Sequence, residues 1–140
     1  NDDKYDSIQD SFRSEILEIS KNNKIILIYP IPAIGWDPNK KIWLDRANKF
    51  SKNFILPEIT TSYKVYKDRT KSSFELLDSI TNKNIYRVYP HKLYCDTTIK
   101  DRCITHSLSE IFYSDDDHPS YKGAEMINQL IIDEIKKIEK

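Results

Sequence analysis

Asp115, Asp116, Asp117 and His118 stand in four consecutive positions of this 140-residue chain, inside the stretch from Phe112 to Ala124. Three carboxylates and an imidazole do not go into a core together, because an unpaired ion costs several kcal/mol to desolvate. The group therefore faces water, a ligand or a reacting partner. Asp115 and His118 form an Asp-x-x-His pair. Three residues apart at the entry to a helix, the carboxylate can accept a hydrogen bond from one imidazole nitrogen and leave the other for a nucleophile. A general base needs such a partner, which sets its tautomer and stabilises the imidazolium formed when it takes a proton. His118 is then the base and Asp115 its orienter. Asp116 and Asp117 fall at the exposed end of the loop, as bystanders, where the helix N-terminus that follows favours negative charge. Asp115, Asp116 and Asp117 also form a candidate ligand set for calcium or magnesium, although the regular oxygen spacing of a calcium loop is missing.

These residues need elements to hold them. Ser120 suits the N-cap of a C-terminal helix whose residues Ala124, Ile127, Ile131, Ile135 and Ile138 share one face. Between about Asp6 and Asn22, Ile8, Phe12, Ile16 and Ile19 recur at helical spacing and predict a first amphipathic helix. Lys24 to Tyr29 is a continuous apolar run bounded by Asn22-Asn23 and Pro30, the pattern of a strand covered on both faces in a parallel sheet. The loop Ile31 to Lys40 leaves the carboxyl end of that strand, where ligand crevices form in open α/β sheets. Trp36 on this loop either stacks on a substrate or covers an edge of the core. Ile42, Trp43, Leu44, Ala47 and Phe50 suggest a short helix that Pro57 interrupts.

A second long helix pattern runs from about Ser62 to Ile80 through Tyr63, Tyr66, Phe74, Leu77 and Ile80, with Arg69 as a surface charge. Asn84 to Tyr89 reads as another strand, ended by Pro90. Helix, strand, helix, strand with helical crossovers implies parallel pairing. A long loop then carries Cys95 and Cys103, and Phe112-Tyr113 is a short strand or bridge.

Composition narrows the function classes. Lys+Arg and Asp+Glu both number 22, so the net charge is zero and nothing favours a nucleic-acid or anionic-membrane partner. The only glycines are Gly35 and Gly123, which excludes a dinucleotide-binding G-x-G-x-x-G, a P-loop and a G-x-S-x-G nucleophile elbow. The first residues form no secretory signal, and the absence of an initial methionine leads us to expect a piece of a longer precursor. The longest apolar run, Ile25 to Trp36, contains two prolines and falls short of the ~20 residues a spanning helix needs.

The cysteines lie eight positions apart without a C-x-x-C spacing. Three states are open to them: a bridge contributing roughly 2.5 kcal/mol by loop closure, two free thiols in a reducing compartment, or a metal site with His106 and His91 that fits no common zinc spacing.

The block from Tyr113 to Ala124, with Asp115-x-x-His118 followed by Pro119-Ser120 and then Gly123-Ala124, resembles the final conserved block of the SGNH hydrolase superfamily, the GDSL-like esterases. It is most similar to the extracytoplasmic SGNH domain fused to the C-terminus of acyltransferase-3 membrane proteins, which O-acylate cell-surface glycans. There the block commonly reads Tyr-x-Asp-x-x-His-Leu-Ser-x-x-Gly-Ala, so Pro119 departs from the pattern. The strand and loop from Ile26 through Asp37 and the cysteine pair are similar too, and the likeness runs from about Lys24 to the last helix.

The resemblance implies a three-layer α/β/α flavodoxin-like fold with a parallel sheet, a single SGNH-like domain over residues 1–140 that represents the C-terminal portion of the fold and lacks its N-terminal strands. It implies His118 as catalytic base, Asp115 as its partner, a Cys95–Cys103 disulfide, serine chemistry without a metal or other cofactor, and an acyl-ester or glycan substrate. It further implies an upstream part of the same domain, a membrane acyltransferase domain beyond it, and a place on the extracytoplasmic or periplasmic face. The nucleophile does not carry over, because no Gly-Asp-Ser occurs in the chain. Without that serine the chain alone is expected to be incompetent. The contrasting expectation is a non-catalytic glycan-binding or interaction module, in which Trp36 or Trp43 matters more than His118.

Overall fold

The computed structural model describes residues 2–42 and 59–139, with side chains from Ser7 onward. Helix α1 (Asp2–Ser20) leads into β1 (Ile25–Ile28); β2 (Thr60–Ser62) runs directly into α2 (Tyr63–Ser79), then β3 (Ile85–Val88), a 3-10 turn (Pro90–Leu93), β4 (Arg102–Ile104) and α3 (Tyr121–Ile138). Apart from Ile42, the helix read across Trp43, Leu44, Ala47 and Phe50 lies outside the described residues.

β1 and β3 pair in parallel, with Ile25 opposite Ile85 and Ile28 opposite Val88. Side chains alternate along a strand, so Ile25, Leu27 and Tyr29 share one face with Ile85. That face meets Ile16 and Leu17 of α1 and Phe74 and Leu77 of α2, closing a core around Leu27, Tyr29, Ile80 and Ile85. Helix α3 packs along β3. The result is a mixed α/β fold on a parallel pair, as the helix and strand order implies.

The helices start where side chains can cap them. Ser62 Oγ accepts the Val65 N–H at 3.3 Å, and Ser120 Oγ accepts the Gly123 N–H at 3.1 Å. At the other end of α2 the Arg87 guanidinium donates to the Ile80 carbonyl at 2.7 Å, satisfying an acceptor the helix leaves open.

Two expectations are corrected. The stripe Ile8, Phe12, Ile16 and Ile19 does not form the contact face of α1: Ile8, Phe12 and Ile19 are exposed. The packed face is offset, through Arg13, which donates to Ser79 Oγ at 2.9 Å, and through Ile16, Leu17 and buried Ser20. A helix of 19 residues runs about 28 Å, whereas a four-residue strand spans about 13 Å. The helix therefore outruns the sheet beneath it. The second correction concerns the loop after β3, which contains β4. That strand pairs antiparallel with β2, Thr60 opposite Ile104 and Ser62 opposite Arg102. Strands three residues long have no readable period, and Arg102 holds the pair from its side chain, donating to Thr60 Oγ1 and O at 2.8 Å each.

A second core lies beside this antiparallel pair. Ile34, Tyr66, Tyr94, Cys95, Cys103, Phe112 and Tyr113 are buried together, with Met126 of α3 against them. Among the described residues no helix is long and apolar enough to cross a membrane.

Candidate active site

The N-terminus of α3 is pressed against the segment Ile111–Phe112. Ser120 Oγ donates to the Ile111 carbonyl at 2.6 Å, and its N–H donates to the Phe112 carbonyl at 2.9 Å. Gly123 makes the approach possible, because a Cβ there would stand 2.1 Å from the Phe112 oxygen. Tyr94 reaches the same turn, its hydroxyl donating to the Gly123 carbonyl at 3.3 Å; burial pushes that phenol up to about 12.

Between Tyr113 and Pro119, which form an isolated bridge, the chain makes a closed loop. The Ser114 N–H donates to the His118 carbonyl at 2.9 Å. Asp115 Oδ1 accepts the backbone N–H groups of Asp117 at 3.1 Å and His118 at 2.8 Å, an Asx turn that fixes the carboxylate before any imidazole contact is made. His118 Nδ1 then lies 3.0 Å from both oxygens of Asp115. The sequence-predicted pair is thus brought together. A carboxylate accepts only, so Nδ1 carries the hydrogen, and in the neutral ring Nε2 keeps its lone pair. The His118 side chain is 72% exposed, which leaves that nitrogen open to a partner.

The electrostatics follow from these contacts. The hydrogen bond to Asp115 raises the His118 pKa above its ordinary value, helped by the charges of Asp115, Asp117 and Asp116. Asp115 is held below the usual carboxylate range, first by the His118 backbone N–H, then by that of Asp117 and by the imidazole. Asp117 is no bystander: its Oδ1 lies 2.8 Å from His118 Nδ1. Among the described residues, Asp115, Asp117 and His118, rather than the three aspartates, bring one ligand atom each within 4.8 Å of the others. Their imidazole nitrogen is already engaged by the carboxylates.

Trp36 is half-buried and packs against the cluster that holds Ile34, Tyr66 and Tyr94. Trp43 lies outside the described residues. Cys95 and Cys103 form a disulfide, which removes both thiols from metal ligation. His106 Nε2 accepts the Ile59 N–H at 3.3 Å and its Nδ1 lies 2.7 Å from the Ser107 carbonyl. His91 is buried among the rings of Tyr63, Tyr66, Phe74 and Tyr89, and desolvation lowers its pKa.

Sequence reasoning missed the tie from the segment after β1 to the site loop. The Ile34 N–H donates to the Asp116 carbonyl at 2.8 Å, and Asn39 reaches Ser114. The dipeptide Asp37-Pro38, a helix-start signal, was the clue.

A family model described as SGNH domain (fused to AT3 domains) matches residues 1–133. Neither a curated protein nor a solved structure gives a significant match.

Proposed function

The chain belongs to the family of SGNH domains fused to AT3 domains, and we propose that it supplies the His–Asp half of a Ser–His–Asp triad for O-acyl transfer or ester hydrolysis on cell-envelope glycans. The observation that carries this reading is the Asp115–His118 pair, with Nδ1 on the carboxylate and an exposed imidazole. The serine would come from an upstream part of the same domain, and the fused acyltransferase-3 membrane domain would deliver the acyl group on the extracytoplasmic side.

In the first half-reaction the serine Oγ attacks the acyl carbonyl while Nε2 of His118 takes the hydroxyl proton. Asp115 stabilises the imidazolium. The tetrahedral intermediate collapses as that proton passes to the departing oxygen, the ester C–O bond breaks, and the acyl group stays on serine. In the second half a glycan hydroxyl or water gives its proton to Nε2 and attacks the acyl carbonyl. The serine then leaves with the proton from His118, so charge and protons balance and the residues require no metal.

The domain extended upstream should hydrolyse p-nitrophenyl acetate, and His118→Ala should reduce turnover by about 10²–10⁴-fold. Turnover indifferent to that substitution would sink the assignment. Glycan binding without turnover in the extended domain would favour the non-catalytic module instead.

A further inference from the structure

We infer that Asn39 is a positioning residue for the Asp115–His118 pair, a role that rests on reading the pair as the base of the triad. The segment leaving β1 turns at Gly35, whose φ of +76° is in the left-handed region. It becomes helical again at residues 38–42. Asp37 caps that start: its Oδ1 accepts the Lys40 N–H and its carbonyl accepts the Lys41 N–H, both at 3.1 Å. Pro38 in the first helical position has no N–H to leave unpaired. Asn39 follows, and its side-chain amide meets the site loop. Nδ2 donates to the Ser114 carbonyl at 2.9 Å and lies 3.4 Å from the Tyr113 carbonyl.

Ser114 and Asp116 flank Asp115, so the carbonyls on both sides of the orienting carboxylate are held by one segment, through Asn39 and through the Ile34 N–H. Tyr113 anchors the base of the loop in the core, but from Ser114 to His118 the side chains are exposed or half-buried. Its registry against the carboxyl end of β1 therefore depends on these anchors. An amide suits the task because its two N–H groups match two carbonyl oxygens. A carboxylate in the same place would set acceptor against acceptor.

The test uses the full chain labelled with ¹⁵N-histidine. Wild type should show one His118 tautomer, Nδ1–H with bare Nε2, and a titration midpoint above that of free histidine. In Asn39→Ala and the isosteric Asn39→Asp both tautomers should appear and the midpoint should fall towards free histidine. Asn39 is exposed, so both variants should fold. Asn84→Ala is the control: it removes a comparable bond, Asn84 Nδ2 to the Ser20 carbonyl at 2.7 Å, at the opposite end of the strands. It should lower the melting temperature and leave the His118 spectrum alone. Folded Asn39 variants with a wild-type His118 spectrum would overturn the role. In the extended domain Asn39→Ala should lower kcat by about 10–100-fold with KM unchanged. An active domain indifferent to Asn39→Ala counts against the positioning role, whereas an inactive domain with a normal His118 spectrum counts against the triad.

Discussion

His118 keeps Nε2 for a partner because the Asp115 carboxylate, itself held by the backbone N–H groups of the Asx turn, occupies Nδ1. The same contacts set a pH dependence. A base acts in its neutral form, and the carboxylates of Asp115, Asp117 and Asp116 hold the ring protonated to higher pH. Turnover of the extended domain should therefore rise with pH through a midpoint above ~6.5. Asp115→Asn should move that midpoint down and lower the plateau, measured as a kcat/KM profile. The stability effect of His118 has the matching sign. A raised folded-state pKa gives stability that is full below ~6.5 and lost as pH rises through the raised value. Buried His91 runs the other way. Its lowered pKa means the unfolded chain takes up the proton first, so stability is full above ~6.5 and falls as acid drives pH down through the folded value. Urea midpoints at mildly acidic and neutral pH should show a smaller acid loss for His91→Phe than for wild type.

At the scale of elements, the first turn of α3 depends on the absence of one Cβ. Gly123→Ala would force the helix away from the Phe112 carbonyl, costing about 1–3 kcal/mol by overpacking and disturbing the Asp115–His118 geometry with it. Ser120→Ala removes the N-cap and the bond to Ile111, and should cost about 1 kcal/mol. Denaturant unfolding of both variants, with the His118 resonances followed in parallel, checks stability and geometry together. The disulfide ties β4 to the segment that follows the 3-10 turn: Cys103, the middle residue of β4, pairs with Thr61 of β2 and faces Cys95 in an isolated bridge. Replacing both cysteines by alanine should lower stability by about 2.5 kcal/mol on the chain-entropy account, read from the same unfolding curves in the absence of reductant.

Across the whole molecule, sequence alone specified whatever depends on local periodicity or on chemistry between near neighbours. Ser62 and Ser120 mark their helix starts because a cap is made within one turn. The apolar runs Ile25–Ile28 and Ile85–Val88 read as strands, and an intervening helix dictates their parallel pairing. Asp115 and His118 were legible because the turn joining them is three residues long. What the tertiary structure decided is what distant segments do to one another. The buried face of α1 is offset from its apolar stripe because the partner surface, ending at Ser79 and Asn84, lies elsewhere. Thr60 to Ser62 is a strand only because Arg102 to Ile104 arrives beside it. Trp36 packs against the core through residues far along the chain. Asp117 and Asn39 meet the site through the path of the folded backbone. Such contacts have no period and no spacing rule, because their energy comes from surfaces that exist only once the chain has folded.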